Sequence, residues 1–218
     1  MSDHDSRMER LTEAVRVRLA DAPACHDVDH TFRVLHNARL IAAREPAAEV
    51  TVVTASALLH DIGRPEEMSC QGAICHAELG AGLAPAILRE CGFIDEAFIL
   101  HVVDCVRSHR FRGGVEPATL EAKIVYDADK LDSIGAIGIG RAFHFAGRIG
   151  ARVHNREAEA VAGASYGRED SAYREYLVKL RRVPERLLTA AGRDLAAARA
   201  ERMTRFFADL NEEVYGGE

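Results

Sequence analysis

The stretch Ala55-Ser56-Ala57-Leu58-Leu59-His60-Asp61-Ile62-Gly63-Arg64-Pro65 sets an imidazole beside a carboxylate at the end of an apolar run, and a Gly-Arg-Pro break closes it. Residues 48 to 60 carry Val50, Val53, Ala57 and Leu58, a spacing that reads as one apolar helix face. The same spacing recurs outward in both directions. Residues 31 to 44 carry Phe32, Val34, Leu35, Ala38 and Ile41, and residues 94 to 109 carry Phe98, Ile99, Val102, Val103 and Val106. Period-two alternation over a strand's length is scarce, so the expected fold class is all-α. Breaks at Glu45-Pro46, Gly63-Arg64-Pro65, Cys91-Gly92, Gly113-Gly114 and Glu116-Pro117 divide the first 150 residues into five or six helices. Pro85 should kink or divide a helical stretch from Ala73 to Arg89. From about Arg152 to Asp170 the pattern dissolves, which reads as a long mobile loop or lid. Ala196, Ala200, Met203, Phe207, Leu210 and Val214 then line one side of a final helix, suited to core packing or a homodimer contact. The expected organisation is a single domain over 1–218, with a core at about 21–150, a loop at 152–170 and C-terminal helices at 171–216 packing on that core.

The chain has 218 residues, with 28 Lys and Arg against 34 Asp and Glu, so its formal charge is 28 − 34 = −6. With 48% hydrophobic and 28% charged residues, it has the composition of a globular protein, not of a disordered or collagenous one. The longest apolar stretch, Val50 to Leu59, is far short of the roughly 18 residues that span a bilayer. The N-terminus, Met1-Ser2-Asp3-His4-Asp5-Ser6-Arg7, lacks the apolar stretch of a secretory signal, so a cytoplasmic location with no membrane partner is expected. The five cysteines, Cys25, Cys70, Cys75, Cys91 and Cys105, form no Cys-x-x-Cys pair, which disfavours a thiolate zinc site and leaves reduced thiols. The acidic balance also disfavours a nucleic-acid polymer as partner.

Ten histidines remain to be explained. Adjacent polar groups such as His60 and Asp61 are costly at the end of an apolar helix unless they are paired or bind a metal. His30 shares a face with Val34 and Ile41. His109 extends the stripe Ile99, Val102, Val106; His76 falls in Ala73, His76, Gly80, Leu83; Asp129 falls in Ala122, Val125, Asp129, Ser133, Ala136. Five core-facing helices thus each bring an imidazole or a carboxylate to an apolar stripe. His26, four residues before His30, is intermediate, while His4, His36, His101, His144 and His154 show no such combination. A mixed nitrogen and oxygen set suits Mn, Fe, Mg, Ni or Zn as divalent ions, and points to metal-assisted hydrolysis.

The order His30, His60-Asp61, Asp129 resembles the H…HD…D signature of the HD-domain metal-dependent phosphohydrolases. "HDVDHTFRVLHNA" (26–38), "ASALLHDIGRP" (55–65), "HAELGAG" (76–82), "LEAKIVYDADKLDSIGAIGIGRAF" (120–143) and the closing "LLTAAGRDLAAARAERMTRFFADLNEE" (187–213) are similar to the YedJ- and YpgQ-like branch of that superfamily. The resemblance implies an HD-domain helical bundle with a C-terminal helical extension, and a divalent ion held by His30, His60, Asp61 and Asp129. It implies hydrolysis of a phosphoester or phosphoanhydride of a nucleotide or similar small phosphorylated metabolite, and in this branch a nucleoside triphosphate cleaved to monophosphate and pyrophosphate. One ion or two per chain is left open. With two, His76 and His109 complete the second site and Asp61 bridges; with one, His76 or His109 contacts phosphate or acts as general acid. Arg33 and Lys130 are the phosphate-binding candidates, Lys130 also serving catalysis by neutralising oxygen charge. Asp132 either orients a ligand or lies exposed as a partner for Lys130.

Some relatives place an acidic residue three or four positions after the HD aspartate, where this chain has Arg64 and Pro65, so neither Glu66 nor Glu67 receives a role. "DADKLD" lacks the Gly and closing Glu of a calcium loop, and close helix packing explains "GAIGIG" better than a phosphate-cradling loop. Two other functions fit the same residues: a di-iron HD-fold oxygenase, which His76 and His109 would permit, and a non-catalytic nucleotide-sensing helical domain.

Overall fold

In a computed structural model the chain is described over residues 3–22, 26–70, 73–110 and 115–216, and no strand occurs among them. Cys25, the Gly113-Gly114 break and the side chain of His4 lie outside the described residues. Contacts divide the chain into two compact units, Met1–Asp129 and Lys130–Glu218.

The first unit is built on α1 (Asp3–Arg18), α2 (Val28–Ala42), α3 (Val50–Leu59), α4 (Arg64–Ser69), α5 (His76–Glu90), α6 (Glu96–Ser108) and most of α7 (Leu120–Leu131). Its centre is α3, packed against α1, α2 and α6. Every residue from Val52 to Leu59 is buried, so the helix has no polar face, as expected of one enclosed on all sides. The small side chains Ala55, Ser56 and Ala57 let its neighbours approach. Val50, expected on an apolar face, is 53% exposed at the helix start. Glu121 meets that start: its carboxylate accepts the Glu49 N–H at 2.9 Å. Pro85 lies inside α5 without dividing it; the face made by Ala77, Gly80, Ala81, Ala84 and Leu88 is buried, and α5 packs against α6.

Among the described residues eight helices start before residue 150, more than the five or six expected. The six-residue α4 is too short to show a period, and α7 ends at Leu131 where Ile134 turns extended (φ −126°, ψ 167°) before α8 (Gly135–Arg148). Ser133 and Ala136 therefore do not continue the Asp129 stripe.

The second unit contains α8, α9 (Glu157–Ala162), α10 (Ala172–Val178), two short 3-10 turns (Leu180–Arg182 and Pro184–Arg186) and α11 (Ala190–Tyr215). Along α11, Ala196, Met203 and Phe207 are buried, but Val214 is 49% exposed, so the expected stripe is covered only over its first two thirds. Gly135 has φ +77°, and a Cβ there would sit 3.0 Å from the Arg199 side chain; a left-handed backbone under a helix explains this glycine. The segment expected as a loop holds α9 and a ring of polar contacts: Asn155 donates to Glu169 O at 3.0 Å, Ser171 Oγ donates to Asn155 Oδ1 at 2.6 Å, and Arg174 Nε donates to Gly163 O at 3.0 Å. Asp132 is buried and ion-paired with Arg141 at 2.7 Å, so it is not the exposed residue that one reading required. No described helix is long and apolar enough to cross a membrane.

Candidate metal centre

His60 and His109 occupy equivalent places, each a buried residue directly past the last turn of its helix, at the ends of α3 and α6. Each ring folds back on its own helix. His60 Nδ1 lies 2.8 Å from Ala57 O, and His109 Nδ1 lies 2.6 Å from Val106 O. A carbonyl only accepts, so both rings carry their proton on Nδ1, and each satisfies a carbonyl that the helix end leaves open. Their Nε2 atoms therefore present lone pairs.

His30 sits in the first turn of α2, whose N-cap Asp27 accepts the His30 N–H at 2.9 Å. Asp129 stands opposite on α7. The preceding residue is anchored, because buried Asn37 on α2 donates to Ala128 O at 3.1 Å. His30 Nε2 lies 3.3 Å from His60 Nε2, 3.5 Å from Asp129 Oδ1 and 3.5 Å from Asp61 Oδ2. His76 opens α5, and it reaches the same aspartate because the turn after Asp61 lies directly on α5. A Cβ on Gly63 would fall 2.4 Å from His76 O.

The two oxygens of Asp61 face different neighbours. Oδ2 lies near His26 Nδ1 (3.0 Å), His30 Nε2 (3.5 Å) and His60 Nε2 (3.6 Å). Oδ1 lies near Arg64 Nε (2.9 Å), His76 Nε2 (3.3 Å) and His109 Nε2 (3.6 Å). Two sets of donors thus share one carboxylate. Within His30, His60 and Asp129, and within Asp61, His76 and His109, one ligand atom from each lies within 4.8 Å of the others. His26 with His30 and Asp61 forms a third such set, and His26 is 27% exposed where the other imidazoles are buried.

His76 is oriented by a residue that sequence reasoning left without a role. Glu67 Oε2 accepts from His76 Nδ1 at 2.9 Å and from Arg64 at 2.7 Å, and Arg110 donates to its other oxygen. Arg110 Nη1 also lies 3.1 Å from His76 Nδ1, but its N–H is donated to Glu67, and the nearer carboxylate only accepts; this sets the His76 proton on Nδ1 and leaves its Nε2 bare. His76 Nε2 and His109 Nε2 stand 3.1 Å apart. With both protons committed elsewhere, two lone pairs face each other across a gap that only a cation or an added proton makes favourable. A spacing of about 3 Å is what adjacent ligands adopt on one ion at about 2.1 Å. The donor set therefore fits a divalent ion.

Electrostatics agree. Burial pushes His60 down to about 4, with nearby His109 and His30 adding to the effect against Asp61. Burial likewise pushes His76 down to about 3, against the pull of Asp61. Both are neutral at neutral pH. Burial alone would raise Asp61, but His60, Arg64 and the hydrogen bond from His26 hold it well below the usual carboxylate range. Glu67 is held at about 2: burial opposes, and His76, Arg64 and Arg110 outweigh it.

The structure thus brings together His30, His60, Asp61, Asp129, His76 and His109. Arg33 and Lys130 are half-buried, and each makes interactions of its own. Arg64, Glu67 and Arg110 were missed. The one sequence signal for Arg64 and Glu67 is the acidic and basic run Arg64-Pro65-Glu66-Glu67 just past the HD pair, which has no period of its own, and Arg110 has none.

An HD domain family model matches residues 27–134. The Bacillus subtilis (strain 168) protein YpgQ is 31% identical over 220 residues, covering 96% of this chain and 97% of YpgQ. The crystal structure of Bacillus subtilis YpgQ in complex with ADP is similar with a TM-score of 0.74 and 26% identity, over 99% of this chain and 98% of that one. A predicted HD superfamily hydrolase from an uncultured Thermotogales bacterium is similar with a TM-score of 0.68 and 31% identity, over 94% of this chain and 91% of that one.

Proposed function

Because the chain belongs to the HD-domain family, we propose that it is a divalent-metal-dependent phosphohydrolase acting on a nucleotide. The reaction we assign is cleavage of a phosphoanhydride, with a nucleoside triphosphate giving monophosphate and pyrophosphate as the leading case. One observation carries the reading: bare Nε2 lone pairs and carboxylate oxygens converge from five helices and the turn after α3 onto the two sides of Asp61. The relative crystallised with ADP supports a nucleotide as the ligand.

His30, His60, Asp61 and Asp129 would hold one ion; Asp61, His76 and His109 would hold a second. When bound, such ions polarise phosphoryl oxygens and lower the pKa of water toward neutrality. The chain's own residues do the rest. The Nδ1 bonds to Ala57 O and Val106 O lock His60 and His109, and Glu67 locks His76. His76 is held neutral by burial, which favours a ligand role over that of general acid. Arg33, Lys130 and His109 are proposed to contact the phosphates, and a soluble cytoplasmic setting suits such a substrate.

Stripped protein reloaded with Mn²⁺, Mg²⁺, Ni²⁺, Zn²⁺ or Fe²⁺ should release pyrophosphate or phosphate from some member of a nucleotide panel. Asp61→Ala should lose metal and lower turnover by more than about a hundredfold. No turnover with any ion across the panel would overturn the reading. Two bound irons per chain with oxygen consumption would favour the oxygenase instead, and full activity under anaerobic conditions would exclude it.

A further inference from the structure

Arg64 is the residue for which the metal-centre reading leaves no place. Its Nε donates to Asp61 Oδ1 at 2.9 Å, and its terminal nitrogen donates to Glu67 Oε2 at 2.7 Å. Oδ1 is also the oxygen that faces His76 and His109, at 3.3 and 3.6 Å. A guanidinium therefore sits on the carboxylate oxygen that a second ion would need, and two positive charges at one oxygen repel. The geometry points to Arg64 as a tethered counter-cation that competes with the second ion for Asp61 and, once displaced, offers its guanidinium to the substrate's phosphate. This inference rests on the phosphohydrolase reading of the same centre.

Three features make Arg64 the member of the network that can leave. Asp61 loses nothing in charge when an ion replaces the guanidinium. Glu67 keeps two partners without it, Arg110 on one oxygen and His76 Nδ1 on the other. Arg64 itself is 18% exposed on a six-residue helix, whereas His76 is fully buried, so its side chain has a path out that the imidazoles lack. A planar guanidinium matches two phosphate oxygens with parallel N–H groups, a geometry that ammonium cannot reproduce. Ion entry and phosphate binding would thus be coupled through one side chain, with the site charged for an anion only when the second ion is in place.

Titration of stripped full-length protein with Co²⁺, followed calorimetrically and by its visible absorption, tests this without turnover. Wild type should bind one equivalent tightly and a second more weakly. Arg64→Gln should tighten the second equivalent at least about tenfold, leave the first unchanged, and weaken inorganic pyrophosphate binding to the two-ion form at least about tenfold. Arg64→Lys keeps the charge but not the fork, so it should fall between in ion affinity and still bind pyrophosphate poorly. A second equivalent that is unchanged or weaker in Arg64→Gln, in protein whose circular dichroism matches wild type, overturns the inference. So does a single equivalent in every variant, an outcome that leaves a one-ion phosphohydrolase standing. No bound Co²⁺ in any form overturns both this inference and the reading beneath it. Should Arg64→Gln not fold, the Lys variant decides alone, and wild-type ion affinity with wild-type pyrophosphate binding overturns the inference.

Discussion

An imidazole becomes a dependable ligand only when its other nitrogen is committed, and three different acceptors do this here. Two are carbonyls at helix ends, and the third is Glu67. Carbonyls come with the backbone, but Glu67 is a side chain and can be tested. Glu67→Ala should lower affinity for the ion at His76 and His109 by about 10–100-fold, because the ring loses its tautomer and orientation and Arg110 loses its partner. Glu67→Gln, whose amide oxygen still accepts from Nδ1, should recover much of that loss. Competition against a chromophoric chelator measures both, and a Glu67→Ala affinity equal to wild type would sink the assignment. The residues of the centre divide by how readable they were. His30, His60, Asp61, His76, His109 and Asp129 announce themselves because each is a polar residue on an apolar stripe, a local anomaly visible from spacing alone. Glu67 makes sense only through His76 on the next helix and through Arg110, 43 positions on, and no local period encodes such partners. Arg64 stood where an acidic residue was expected, and its meaning emerged only when Asp61 was seen to have two sides.

At the scale of elements, the longer helices were legible, while the short ones and the context of each helix were not. The period of α3 is blurred because the helix is buried on every side, and nothing within residues 50–59 says how many neighbours will surround them. α4 is one and a half turns that exist to carry Arg64 and Glu67 back toward α5, and so short a segment has no hydrophobic period to detect. The glycines make this contrast measurable. Gly63 and Gly82 stand in the neighbouring motifs HDIG and HAELGAG, yet a Cβ on Gly63 would strike His76 O at 2.4 Å while one on Gly82 meets nothing within 4 Å. Gly63→Ala should force α5 away from the turn, costing about 1–3 kcal/mol and weakening metal binding at His76 with it. Gly82→Ala, on the exposed face of a helix, should stabilise by up to about 1 kcal/mol. Urea unfolding of the two variants checks the signs; a Gly63→Ala protein as stable as wild type would mean that the close approach of the turn to α5 does not hold His76 in place.

For the whole molecule, a net charge of −6 coexists with a site proposed to receive an anion, because a local field is enough for a small ligand. The same centre makes stability depend on pH. His60 and His76 titrate near 6.5 when unfolded, but burial holds them at about 4 and about 3 in the fold. Between those limits the unfolded chain binds more protons than the native one, so stability is full above about pH 6.5 and falls as the pH falls. Each histidine contributes a slope of about 1.4 kcal/mol per pH unit within its window. Below about 4.5 the depressed carboxyls of Asp61 and Glu67 act in the same direction, since their ionised forms are the ones the fold stabilises. Bound ions should steepen the decline. An ion at a hundred times its Kd adds about 2.7 kcal/mol near neutral pH, and protonation of its ligands removes that gain. Unfolding free energies of stripped and loaded protein, measured by urea from pH 7.5 to 4.5, should therefore lie apart at neutral pH, both decline below 6.5, and converge toward the acid end. A stripped protein whose stability is level between pH 6.5 and 5 would show that these imidazoles are not held neutral by the fold, and the lone pairs on which the metal centre depends would lose their basis.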